Sequence, residues 1–437
     1  MSGGVKTPLR EVRLRVAVSF TLIMLSNDSL NPVKVICSIL NVNSAWVGWL
    51  SALAFVVIVA GNAADLTYFM TKVFFHSILS IFFSSMEVLG KQNIPVNGPV
   101  IFTGNHMNQF VDGAVIVATN PRRVGFLVAE KSMHKPLIGD FSRACGSIPV
   151  VRPQDSAKPG PGRIYFDKLR VIGEGTQFTK LLKGDKIRPA KSPEVYRIAT
   201  VLSDTEGILA EDLGDGSPLV ERCQGEENKC TYEIMAHIDQ SAMFTKVHSA
   251  LANGQCIGIF PEGGSHDNTD LLPLKAGVAA IALGTQEKFD VKVPIVPVGL
   301  TYFRGHRFRG RLVVEFGEPI YITQEISEKY GESKKLAYQA LLQQVEKGMR
   351  SVLVTAHDYN DLKLVHTVRR LFQRSATSMS TKQKQDLARR WSEAYKILKD
   401  RYKDSGMPQE IQDLVEKVKA YQDSLDHWGL RDYQLQH

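Results

Sequence analysis

Three short clusters in this 437-residue chain bring together residue types that can move protons or hold anions. The first is Asn105-His106-Met107-Asn108-Gln109-Phe110-Val111-Asp112. A histidine with a nearby carboxylate can activate a hydroxyl, because the carboxylate orients the imidazole and supports its cation in the transition state. Six residues on a regular helix amount to about 600°, which would leave the two side chains roughly 120° apart. They meet only if His106 lies in a loop and Asp112 in the helix that follows. The second cluster is Phe260-Pro261-Glu262-Gly263-Gly264-Ser265-His266-Asp267. Glu262 can accept hydrogen bonds from substrate hydroxyls, while Gly263 and Gly264 let a backbone approach a ligand closely; a structural turn with a solvated glutamate is the alternative. The third is Gly146–Pro153, with Arg152 at a strand end, joined by Lys275 in LPLKAG at a helix start. Phosphates are held by such charge-assisted donors and by helix N-termini, although either cation alone reads more readily as surface charge.

The elements that must position these residues follow from periodicity. Val100–Thr103, Val124–Val128, Ser147–Val151, Ile257–Phe260 and Val293–Gly299 are short apolar runs of buried-strand type. Helical patterns over Ser241–Ala252 and Leu274–Leu283 alternate with them. Alternating strands and helices specify an α/β fold with a mostly parallel sheet, whose ligand crevice lies at the carboxyl ends of the strands. From Ser156 to Tyr232 this rhythm gives way to strand-and-turn composition, read as a β-rich insertion. Past Ile320 the chain is helical and charged, LAYQALLQQVEKGMRSVL being its best amphipathic run. The expected organisation is thus 1–89 as an N-terminal module, 90–155 with 233–320 as the α/β domain, 156–232 as the insertion and 321–437 as C-terminal helices.

Composition sets the outer bounds. With 44% hydrophobic and 22% charged residues the chain is too apolar for disorder. Its net charge of +8 favours an anionic partner without choosing one. The basic excess raises nucleic acid as a partner, but no zinc finger or base-stacking module supports it, and none is expected. Five scattered cysteines lack a C-x-x-C pair, so neither a metal site nor a disulfide framework is expected. The uncharged stretch Val35–Ala64 ends in AWVGWLSALAFVVIVAGNAA, Ala45–Ala64, which has the ~20 residues of a bilayer span. Leu66–Met86 is Phe-rich but holds Lys72 and His76, and reads as an interfacial amphipathic helix. The near-zero mean hydropathy then averages an apolar N-terminal membrane module with a polar remainder.

Together and in order, NHMNQFVDG, the Gly146–Arg152 stretch, FPEGGSHD and Ile295-Val296-Pro297-Val298-Gly299-Leu300 resemble the four blocks of the glycerolipid acyltransferases. The five residues between His106 and Asp112, together with RPQDSAKPGPG and the terminal LRDYQ, are similar to the fungal-type glycerol-3-phosphate/dihydroxyacetone-phosphate acyltransferase branch, over about Ser85 to His437. The resemblance implies transfer of an acyl group from acyl-CoA, a co-substrate with no further cofactor, to the sn-1 hydroxyl of glycerol 3-phosphate or dihydroxyacetone phosphate, at a lipid bilayer of the endoplasmic reticulum facing the cytosol. It makes His106 the general base and Asp112 its orienting carboxylate. Glu262, Gly263, Gly264 and Ser265 would position the acceptor. Many members have an arginine after Phe-Pro-Glu-Gly-Thr, where this chain has Ser265 and His266, so Arg152 and Lys275, with Arg304 or Arg307, would hold the phosphate. Members of the branch continue into further hydrophobic segments, so a chain stopping at His437 is expected to be a shorter or incomplete form. Acylation at sn-2 is the enzymatic rival, and a non-catalytic membrane-attached scaffold the rival of another class.

Overall fold

Residues 32–39, 49, 53, 56–182, 184–189, 195–210, 225–303, 308–372, 379–430 and 432–435 are described by the computed structural model. The chain divides into two units, Met1–Met70 and Thr71–His437. In the first, a helix covers Pro32–Ile39. Helix α1 covers Ala63–Phe82.

Seven strands form the main sheet: β1 (Phe83–Leu89), β2 (Val100–Gly104), β3 (Val124–Ala129), β4 (Ile148–Val150), β12 (Cys256–Ile259), β13 (Ile295–Phe303) and β14 (Gly310–Phe316). Their order is β1-β14-β13-β2-β12-β3-β4. All neighbours are parallel except β13 and β14, so a five-stranded parallel body carries a reversed pair at one edge. β2 and β12 are buried at every position, as strands covered on both faces must be. Covering them are helices α2 (Gln109–Thr119), α3 (Ser241–Ala252), α4 (Gly277–Phe289), α5 (Gln324–Glu332) and α6 (Lys334–Val352). In α6, Ala337, Leu341, Val345 and Met349 recur every fourth residue and are all buried, giving one apolar stripe against the core. Gly299 on β13 is needed there: a Cβ would run into the backbone oxygen of Val352, so only glycine lets the end of α6 pack this closely. Helices α7 (Tyr359–Phe372), α8 (Thr381–Arg401) and α9 (Gln409–Trp428) complete the chain.

Strands β5 (Lys158–Pro159), β6 (Arg163–Asp167), β7 (Arg170–Glu174), β8 (Lys186–Pro189), β9 (Tyr196–Val201), β10 (Glu206–Leu209) and β11 (Tyr232–Met235) form a second, antiparallel sheet. It has its own core, including Ile164, Phe166, Phe178, Ile198 and Tyr232. The segment thus runs to Met235, three residues past the expected boundary, because Tyr232–Met235 pairs with β8 and buries Tyr232.

One expectation for the N-terminal region needs correction. The helix expected over Leu66–Met86 stops at Phe82, and Phe83 begins β1. Pairing with β14 buries the Phe83 ring and supplies partners for backbone groups a helix would otherwise satisfy, so the α/β sheet starts inside the module bounded at residue 89. The span expected over Ala45–Ala64 lies largely outside the described residues. Among the described residues no helix is long and apolar enough to cross a membrane.

Candidate active site

The loop after β2 carries the first cluster. Asn105 is buried and exchanges two hydrogen bonds with Leu300 on β13: its Nδ2 donates to the carbonyl at 3.0 Å and its Oδ1 accepts from the backbone N–H at 2.8 Å. This pins the start of the loop. The His106 ring stacks on Phe260, centroids 4.3 Å apart. Gln109 turns the chain through a left-handed φ of 44° and α2 begins, with Asp112 in its first turn. Histidine in the loop and carboxylate in the helix is the arrangement the six-residue spacing required.

Asp112 is fully buried, and three donors converge on it. Its Oδ2 faces His106 Nδ1 at 2.9 Å and accepts from the Asn108 backbone N–H at 2.7 Å. Its Oδ1 accepts from the Tyr302 hydroxyl at 2.6 Å. Burial first, then the adjacent Asp112 charge, raise the Tyr302 pKa well above its ordinary value, so the phenol stays a donor. An acceptor at Nδ1 fixes the proton there and leaves the lone pair on Nε2.

Glu262 is buried and braces the site. Its Oε1 accepts from the His106 backbone N–H at 3.1 Å, and its Oε2 accepts from Leu272 N–H at 2.9 Å and from His266 Nε2. His266 returns the tie, its backbone N–H donating to the His106 carbonyl at 3.0 Å. Both carboxylate oxygens expected to receive substrate hydroxyls therefore already hold protein donors. Gly263 adopts φ +79°, and a Cβ there would collide with the Lys275 ammonium group, so the structure brings these two together. Lys275 precedes its helix by two residues, α4 starting at Gly277. Gly264 and Ser265 are exposed, with open space around Gly264.

Arg152 is not brought to this group. It follows edge strand β4, three strand positions from β2, which at ~4.8 Å per strand is roughly 14 Å. Its guanidinium makes a bidentate pair with Asp155 at 2.7 and 3.0 Å, and this bond holds the Asp155 carboxyl below its ordinary pKa. Arg304 and Arg307 lie outside the described residues. No cluster able to hold a metal occurs among the described residues.

A cavity of about 1070 Å³ is lined by Asn105 and Met107 on either side of His106 in the chain, by Glu262, His266 and Tyr302, and by His366, Arg369 and Arg370 of α7. Sequence reasoning missed Tyr302 and the α7 wall. Tyr302 lies just past the apolar fourth block, where strand periodicity assigns a face but no partner.

The family described as Acyltransferase matches residues 85–170 and 236–301, and the one described as Glycerol-3-phosphate acyltransferase 2 C-terminal domain matches residues 364–437. The first match brackets most of the second sheet. Glycerol-3-phosphate O-acyltransferase 1 of Saccharomyces cerevisiae is 40% identical over 374 residues, covering 82% of this chain and 48% of its own length. An uncharacterised acyltransferase of Schizosaccharomyces pombe is 36% identical, covering 82% of this chain and 54% of its own. Glycerol-3-phosphate O-acyltransferase 2 of S. cerevisiae is 31% identical, covering 84% and 52%. The chain spans about half the length of these curated relatives. With the His106–Asp112 pair and the Glu262 loop inside the matched region, the chain belongs to the glycerolipid acyltransferase family.

Proposed function

We propose that the protein transfers a fatty acyl group from acyl-CoA to the sn-1 hydroxyl of glycerol 3-phosphate. The observation that carries this reading is the buried Asp112 fixing Nδ1 of His106 beside a cavity large enough for substrate. Nε2 takes the proton of the acceptor hydroxyl as its oxygen attacks the thioester carbonyl, and Asp112 supports the imidazolium. Collapse of the tetrahedral intermediate breaks the C–S bond, and His106 returns the proton to the departing CoA thiolate. The thioester is already activated, so positioning and base catalysis suffice for an uncovalent path. Dihydroxyacetone phosphate offers the same primary hydroxyl beside a phosphate and is included as an acceptor. Lys275, beside Gly263, is a further anion-holding group in this reading.

The proposal extends to a lipid bilayer. Val73, Phe74, Ile78 and Ile81 of α1 are exposed apolar side chains that support membrane contact, where acyl substrate and product would partition. The endoplasmic reticulum membrane, with the site toward the cytosol, is the location carried with it.

The test supplies the full chain with acyl-CoA and labelled glycerol 3-phosphate, dihydroxyacetone phosphate or lysophosphatidate. Glycerol 3-phosphate should be acylated at sn-1, and His106→Ala should lower kcat by about 10³-fold or more. Lysophosphatidate outcompeting glycerol 3-phosphate, or full turnover by folded His106→Ala, would overturn the reading.

A further inference from the structure

We propose that Arg369 on α7 is the centre of a phosphate-ester site on the cavity wall facing the catalytic loop. The inference rests on the acyl-transfer reading above, because both substrates of that reaction carry phosphate esters. Five cations, Arg309, Arg311, Lys363, Arg369 and Arg370, line the cavity together, Arg309 among them exposed to water. Three are matched within the protein. Lys363 pairs with Asp426 at 2.7 Å, Arg311 with Glu87 at 3.3 Å, and Arg370 donates to Gln422 Oε1 at 2.5 Å and Thr367 Oγ1 at 3.0 Å. Arg369 has no carboxylate and no hydrogen-bond acceptor among the described residues, and its Nε is buried with no partner. A guanidinium partly out of water is ordinarily paired, since leaving a charge desolvated and unmatched is costly.

The surroundings of Arg369 deepen the mismatch. Burial, then Arg370 and Arg311, push its pKa down to about 10. One helical turn earlier, His366 is pushed down to about 3 by burial, Arg369 and Arg370, and its Nδ1 is also buried without a partner. Charge of the opposite sign, which no described side chain brings to Arg369, is what a phosphate ester would bring. The wall also meets the strand that supports the catalytic pair. On β13, Tyr302 bonds Asp112 while the adjacent Phe303 places its ring 5.6 Å from His366. A ligand lying along this cavity would thus touch α7 at one end and reach toward His106 at the other.

The phosphate could belong to the acceptor or to coenzyme A, and binding measurements on the full chain separate the two. Wild type, Arg369→Gln and Arg369→Lys are titrated separately with inorganic phosphate, glycerol 3-phosphate and CoA, and melting temperatures are taken without ligand. Arg369→Gln should abolish binding of inorganic phosphate and weaken one of the two substrates by about 10- to 100-fold. It should leave the other within about twofold, and Arg369→Lys should recover part of the loss. Loss of glycerol 3-phosphate assigns the site to the acceptor, and loss of CoA to the coenzyme; either supports it. Without ligand, the glutamine variant should melt at or above wild type. Unchanged affinity for all three ligands, or a lower melting temperature with all three weakened together, would overturn the site. These titrations need no turnover. A wild type that binds through Arg369 yet transfers no acyl group would overturn the proposed reaction and leave the site standing.

Discussion

Replacing Asp112 by asparagine isolates the charge of the catalytic pair from its geometry. The carboxylate receives His106 Nδ1 and Asn108 N–H on Oδ2, and the Tyr302 hydroxyl on Oδ1. An asparagine with its carbonyl oxygen at the Oδ2 position keeps the first two bonds. Its amide then faces the phenolic oxygen of Tyr302, which is able to accept. Hydrogen-bond count, packing and the Nδ1–H tautomer all survive, while the negative charge is lost. In the transition state His106 carries a positive charge about 4 Å from that lost charge, where an effective dielectric near 20 gives an attraction of about 4 kcal/mol. The expected result for Asp112→Asn is a kcat roughly 10³-fold lower. The KM for acyl-CoA should stay within about threefold, because the ion pair exists only at the transition state. Release of free thiol from acyl-CoA at saturating glycerol 3-phosphate measures both constants, and a melting curve checks that the variant is folded. A folded variant whose kcat stays within about tenfold of wild type, or one whose loss lies wholly in KM, would refute the electrostatic role of Asp112.

Tyr302→Phe strips the donor from Oδ1 and leaves one side of a buried carboxylate unmatched, which should cost about 1–3 kcal/mol in denaturant unfolding. Because Tyr302 acts through the carboxylate it holds, kcat should fall about tenfold with KM steady; unchanged stability would show that the hydroxyl does not support Asp112. His366 carries the pH dependence. Its folded pKa of about 3 lies below the unfolded value near 6.5. Between those values the unfolded chain binds a proton that the native protein does not, so stability is lost as pH falls, at about 1.4 kcal/mol per unit. His366→Gln should therefore gain roughly 2 kcal/mol on wild type between about pH 6 and pH 4, read as a difference in urea midpoints. Parallel pH profiles would show that His366 titrates normally in the fold.

Much of the active loop was legible because its chemistry is local. Apolar runs ending in polar, glycine-containing clusters mark strand ends, and helix arithmetic alone requires His106 in a loop and Asp112 on a helix. Ser241–Ala252 shows its helix by periodicity, with the same bounds in the structure. Local signals failed where a distant strand decided the outcome. Phe83–Met86 continues an aromatic, amphipathic helix on paper, yet β14, more than two hundred residues on, takes Phe83–Leu89 as a sheet edge. Glu262 shows the same limit. Its sequence setting suggests a group open to ligand, and only the fold reveals three protein donors already on it.

By itself, then, the sequence determined which residue types stand at the strand ends, the period of each element and the family resemblance, since all three depend on neighbours along the chain. The tertiary structure decided which of those groups face one another. It joined Tyr302 to Asp112 across 190 residues, held Arg152 on Asp155 at the far edge of the sheet, and set Arg369 unmatched on a cavity wall. Hydrogen bonds and buried charges act over a few ångströms of space, and separation along the chain carries no information about that distance until the sheet is assembled.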